Sequence, residues 1–328
     1  MRSSFGFALV LMTTLGACNG GGTTGGDDTT EPDAPDGVID PPARGFQVVS
    51  TDITIDPGQE ITYCYYFRTP NTEPMAINKW KSVMTPGSHH MIMYTTTTDT
   101  MPPGTVSASN CGQSTSTQNP SIWTYAAQNV ETEVQLPVDD GAGKPLAQLI
   151  QPNTPAYFQM HYLNPSDQPI QVHVTLNADA LPAATAYTLT APFITHNFGI
   201  RIPAGAVGYT ETKTCQTPPG TKFWTLSSHT HKQAVKTVIR SGAAGSTNIP
   251  FESTDWEHPG SKDFMTAPFF AFDNNQLSFS CTWNNPTNRE IRFGQSAATD
   301  EMCMATGYYF PAAAPITCAC IAQGCGNF

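Results

Sequence analysis

Short runs that alternate apolar and polar residues, rich in β-branched and aromatic side chains, recur from "QVVSTDITI" at 47–55 to "GYYF" at 307–310. Between them lie "EITYCYYFRT", "HMIMYTTTT", "PAYFQMHYLN", "IQVHVTL", "TAYTLTA", "KFWTLSSHTH", "AVKTVIRSG" and "QLSFSCTWN". A period of two sends successive side chains to opposite faces of a strand. Turns rich in Pro, Gly and Asn separate the runs, and no long segment carries a helical period. The pattern predicts an all-β protein of sandwich or jelly-roll type. The stretch "NADALPAATAY" at 177–187 is the best internal boundary, so two consecutive jelly-roll-like antiparallel β-sandwich domains are expected, over 46–180 and 181–328. No sequence repeat relates the two halves.

The ends of the pattern set the context. Residues 1–18, "MRSSFGFALVLMTTLGAC", combine one basic residue with an apolar run too short to span a bilayer, which reads as a secretory signal. The residues around Cys18 resemble a bacterial lipobox, which implies lipidation of Cys18 and an exported bacterial lipoprotein held to the membrane by its lipid alone. Asn19, rather than Asp, follows that cysteine and points to the outer membrane. Residues 19–45 are Gly, Thr, Asp and Pro with few apolar side chains, as expected of a flexible acidic tether. The full chain has 15 Lys and Arg against 26 Asp and Glu, a net charge of −11. Removal of Arg2 with the signal leaves 14 against 26, or −12, with no basic cluster to receive nucleic acid.

Nine cysteines is an odd number for an exported chain, and Cys18 accounts for the odd one. The other eight, Cys64, Cys111, Cys215, Cys281, Cys303, Cys318, Cys320 and Cys325, suit four disulfides in an oxidising compartment. A cysteine metal site in "CACIAQGC" would need a second Cys-x-x-Cys element, which the sequence lacks.

The eight histidines are unevenly placed. In "TLSSHTHKQAV", His229 and His231 stand two apart on a strand, so their rings leave the same face and converge. The neighbours His89 and His90 in "PGSHHMIMY" would point to opposite faces of a regular strand. Both reach one ion only if a bulge or strand start turns one ring, or if they ligate through different nitrogens. His161 follows in "YFQMHYLN". Each half therefore holds a potential metal site. His173, between Val172 and Val174, is read as facing away from the core, His196 as lacking a ligand partner in spacing, and His258 as part of a turn that could influence the second site by protonation.

The ordered set "PGSHHMIMY", "YFQMHY", "SHTHK", "EHP" at 257–259 and "TDEMC" at 299–303 resembles the copper type II, ascorbate-dependent monooxygenase family, from about residue 60 to 320. The resemblance implies hydroxylation of an aliphatic C–H bond. Its cofactors would be two copper ions per chain, dioxygen as co-substrate, and ascorbate or another one-electron donor. His89, His90 and His161 match the electron-transfer copper site. His229, His231 and Met302 match the oxygen-activating site, and Gln159 keeps the family's Gln-x-His arrangement. A thioether favours Cu(I) over Zn²⁺. Met302 and Met304 leave a strand on one face, and the "DEMC" match selects Met302.

By the same resemblance Cys64 pairs with Cys111, Cys215 with Cys318 and Cys281 with Cys303, which leaves Cys320 and Cys325 to close a small loop. The substrate pocket departs from the family's peptide-processing members. Ser227 stands where they carry a carboxylate-clamping Arg, and Met304 and Thr306 stand where they carry Asn and Tyr. None of these replaces a bidentate guanidinium. A small-molecule or peptide-like substrate less anionic than a C-terminal glycine peptide, or held elsewhere, is expected. A copper-binding or copper-storing lipoprotein without catalysis is the alternative.

Overall fold

In a computed structural model, the chain is described at residues 39–109, 111 and 118–328, so the signal, Cys18 and most of the tether lie outside the described residues. Those residues are built from strands and turns, with one short 3-10 turn at Asp273–Asn275. The all-β jelly-roll-type expectation is met. Most of the alternating runs are strands. Met75–Met84, Ala191–Asn197 and Tyr209–Gln216, which the alternation did not single out, are strands too.

Two pairs of sheets form two sandwiches. In the first, a sheet ordered Gly45–Val49, Val174–Ala180, Met75–Met84, Leu146–Ile150 and Thr188–Leu189, with Glu131–Gln135 beside Met75–Met84, faces a second sheet. The second sheet is ordered Val106–Ser107, Glu60–Arg68, Pro155–Leu163, Ser88–Thr95 and Ile122–Ala127. Trp80, Met84, Val174 and Leu176 from one sheet and Met91, Phe158, Met160 and Tyr162 from the other fill the space between them. The second sandwich has a sheet ordered Ser261–Asp263, Lys222–Thr230, Cys303–Phe310, Ala191–Asn197, Ile316–Ile321 and Gly324–Asn327. It encloses Phe193, Phe223, Phe279 and Trp283 against the sheet Tyr209–Gln216, Gln276–Trp283, Ala234–Ser241 and Phe251–Ser253.

Two details differ from the expected architecture. The pairings of Thr188–Leu189 with Leu146–Ala147 and of Phe193–Asn197 with Ile316–Cys320 are parallel, so the sandwiches are not wholly antiparallel. The same Thr188–Leu189 strand belongs to a sheet of the first sandwich, so the sheets change between Leu189 and Ala191 rather than at residue 181. Trp224, Phe269 and Phe310 join the core of the first sandwich, and the Tyr308 hydroxyl donates to the Thr124 carbonyl at 2.8 Å. Residues 34–328 form one compact unit.

All four expected disulfides are present: Cys64–Cys111, Cys215–Cys318, Cys281–Cys303 and Cys320–Cys325. Cys303 opens the strand directly after Met302 and is tied to Cys281 on the facing sheet, which fixes that strand end.

Candidate metal centres

His161 lies opposite His90 on neighbouring antiparallel strands, and the next pair is Tyr162 with Ser88. His89 is therefore the extra residue of a β-bulge, which turns its ring to the side that His90 already faces. Gly87 makes the preceding turn with φ 92°, a backbone conformation open to glycine at little cost. The bulge answers the problem posed by adjacent histidines. The three rings stand 5.1–5.3 Å apart between centroids, and one nitrogen from each gathers within 4.8 Å of the others.

The outer partners of these rings decide which nitrogens face inward. His89 donates from Nε2 to the Glu257 carboxylate at 2.7 Å, and His161 donates from Nε2 to Glu60 at 3.0 Å. Each carboxylate fixes a tautomer that leaves the Nδ1 lone pair free, the arrangement that orients metal-ligating imidazoles. The Nδ1 atoms of His89 and His90 are 3.0 Å apart. Glu257 comes from the "EHP" turn, and the His258 ring lies 6.0 Å from that of His89. That turn was expected to bear on the second site; it packs against the first.

On the second sandwich, His229 and His231 leave one face of the Lys222–Thr230 strand and its continuation with ring centroids 5.2 Å apart. His231 donates from Nδ1 to the Asp300 carbonyl at 3.2 Å, which turns its Nε2 lone pair away from that contact. The neighbouring strand brings Met304 directly opposite His229 and Cys303 opposite Thr230. Met302 and His231 lie just past the last of these pairs, and both line the same cavity. Both methionines are buried, and they pack with Ile194 in a cluster that also touches Trp123 and Phe293. Which of the two serves the imidazoles, left open by spacing, is left open by the register as well.

Both sets line one cavity of about 660 Å³, together with Gln159, Trp123, Phe198 and Phe293. The two sets face each other closely enough to act on one another's charge. Burial, then the neighbouring charges of His161, His229, His89 and His231, hold His90 well below the usual imidazole value. Burial first, with His231 second, brings His229 down to about 3, and burial brings His231 to about 4. These imidazoles are neutral at physiological pH and keep lone pairs available for an ion. Gln159 is held in place by its amide, which donates to the Cys111 carbonyl at 3.2 Å.

The substrate-pocket expectation meets a mixed outcome. Met304 lines the cavity, whereas Ser227 and Thr306 do not. They pair with each other one row further along the sheet, and the Ser227 hydroxyl is engaged by the Gly260 carbonyl at 2.6 Å. His173 bonds to Asp52 at 3.0 Å, as its outward reading implied.

Three residues with a part here were not identified from spacing. Glu301 is fully buried and accepts from the backbone N–H of His231 at 3.1 Å, the N–H of Gln233 at 2.6 Å and the Trp283 indole at 3.1 Å. Burial pushes its carboxyl up to about 7. It ties the loop after His231 to the residue before Met302, and its place in "DEMC" was the available signal. Glu60 opens a predicted strand and could be found only through its bond to His161, which lies diagonally across from it on the neighbouring strand. His196 lines the cavity, against the expectation that it is isolated; its neighbours come from other strands, which spacing along one strand does not reveal.

No known protein-family model matches the sequence, and no curated protein matches it. Among solved structures, the exported protein XepA of PBSX aligns over 82% of this chain and 89% of its own, at 8% identity and a TM-score of 0.20. An archaeal-virus protein with a triple jelly-roll fold aligns over 81% of this chain and 59% of its own, at 8% identity and a TM-score of 0.18. Likenesses this faint carry no argument about function.

Proposed function

We propose that the chain is a copper-dependent monooxygenase that places one oxygen atom of dioxygen on an aliphatic carbon, with ascorbate or another one-electron donor as reductant. The observation that carries this reading is the convergence of two imidazole sets, one of three rings and one of two rings beside thioethers, on the walls of a single cavity. The donor chemistry fits the metal. Imidazoles with carboxylate-fixed tautomers suit copper, and the thioether beside His229 and His231 favours its monovalent state. His89, His90 and His161 would hold one ion, and His229, His231 and Met302 the other. Copper bound there supplies one-electron redox change and affinity for dioxygen.

The protein's own part is positional. Glu257 and Glu60 hold two rings of the first set, and the Asp300 carbonyl holds His231. Trp123, Phe198 and Phe293 line the cavity with apolar surface that excludes water and seats an apolar carbon. The Ser227 hydroxyl is already engaged, no arginine stands among the described cavity walls, and Glu60 and Glu257 there outnumber the exposed Lys232. This supports a substrate less anionic than a peptide carboxylate. Four disulfides suit the oxidising compartment implied for an exported lipoprotein anchored at Cys18.

The placement of Ser227 and Thr306 off the cavity wall favours one alternative, a copper-binding or copper-storing protein without turnover. Oxygen uptake separates the two. Copper-loaded protein given ascorbate and a small-molecule extract is expected to consume one dioxygen per two electrons and yield a product heavier by one oxygen atom. Copper binding without coupled uptake would leave storage as the function.

A further inference from the structure

The sheet that carries His229 and His231 holds a third imidazole on the same face. In the order Lys222–Thr230, Cys303–Phe310, Ala191–Asn197, the strand bearing Met304 lies in the middle. Ser227 pairs with Thr306 on one side of it, and Ile194 pairs with Thr306 on the other. One alternate position further along, Met304 stands opposite His229, and the same register brings His196 to its other flank. The Ala305 N–H donates to the Thr195 hydroxyl at 2.7 Å, which keeps the two strands together at that level. His229, Met304 and His196 thus form one row across three strands, where side chains directly opposite stand with Cβ atoms about 5 Å apart. All three line the cavity.

His196 is 3% exposed, and both of its ring nitrogens lack a partner among the described residues. Its ring lies flat on Phe198, 5.1 Å between centroids and 6° between planes, and Phe198 abuts Phe293 edge-on at 4.7 Å. A buried polar group with nothing to bond is costly, and such a group on a cavity wall calls for an occupant. Among the described residues no carboxylate bonds to it. What stands beside it is a thioether and, beyond that, a second imidazole.

We propose that His196, Met304 and His229 form a second Cu(I) position on this wall. It shares His229 with the His229, His231 and Met302 set, so that the ion has two seats along the sheet. The donors are two neutral nitrogens and one soft sulfur, a combination that suits monovalent copper better than Zn²⁺ or a hard cation. His196 is a ligand of the second seat only. The inference rests on the copper reading above, and the test keeps the two apart.

The measurement is X-ray absorption at the copper edge on Cu(I)-loaded full-length protein, with Cu(I) affinity read by competition against a chromophoric chelator. A His161→Ala background isolates the second centre, and circular dichroism checks that each variant is folded. Sulfur scattering is expected to persist in Met302→Ala and to vanish only when Met304→Ala is added. In the Met302→Ala background, His196→Ala is expected to weaken Cu(I) binding on the order of tenfold or more, with His196→Phe, which keeps the stacked ring without nitrogens, behaving alike. Loss of all sulfur scattering in Met302→Ala alone, with His196→Ala inert, would overturn the second seat while the copper centre stood. Absence of Cu(I) binding in the His161→Ala protein with His229, His231 and both methionines intact would overturn both.

Discussion

Glu301 shows how one side chain can govern a site that it does not line. Its carboxylate gathers donors from the loop after His231 and from the Trp283 indole, all inside the protein. Glu301→Ala leaves those donors buried without an acceptor, at about 1–3 kcal/mol each. Urea unfolding of the metal-free protein is therefore expected to show a loss of at least about 3 kcal/mol, and a change within error would remove Glu301 from this role. At this scale the sequence was legible where partners share a strand. The i, i+2 spacing of His229 and His231 announced their convergence, and ordered motifs brought in His89, His90, His161 and Met302. His196 and Glu60 act through neighbours on other strands, His229 and His161 among them, and pairing between strands distant in sequence is not written in any local pattern.

The decisive element is the bulged start of the Ser88–Thr95 strand. Without the bulge, His89 would turn away from His90 and His161, because neighbours on a strand alternate faces. Gly87 sets up the turn, and a Cβ there would come 2.4 Å from Ile170 Cδ1 and 3.4 Å from the Leu163 carbonyl, at a positive φ. Gly87→Ala is expected to cost about 1–3 kcal/mol and to lower copper occupancy of the three-histidine site more than that of the other. Metal analysis alongside chemical unfolding reads both effects; equal loss at the two sites would contradict the account. The strands flanking each motif were legible from alternation, and so was the chance of a bulge after Pro86-Gly87. Ala191–Asn197 was missed because it is buried on both faces and so lacks a period of two, and Met75–Met84 because a register shift at Asn78 sets its buried Ile77 and Trp80 three apart.

Across the whole molecule, two sandwiches enclose a cavity whose walls come from both, and six imidazoles line it. Burial lowers the affinities of His90, His229 and His231 for protons in the folded state. In the unfolded chain the same rings charge below about pH 6.5. Acidification from there toward the folded values of about 3 and 4 thus favours the unfolded chain, which binds more protons, and stability falls with pH. Calorimetry of chelator-treated protein is expected to show Tm declining below about pH 6.5. A Tm that rises on acidification would contradict it. The two-sandwich architecture and all four disulfides were foreseen, while the junction moved because a two-residue strand carries too little pattern to assign. The central claim is that two separate imidazole sets each hold a copper ion. Counting copper per chain after gel filtration tests it most directly: the account predicts two in the wild type, one in His161→Ala, one in His229→Ala paired with His231→Ala, and background in the combined variant. Copper at background in the wild type, or a count unmoved by these substitutions, would contradict it.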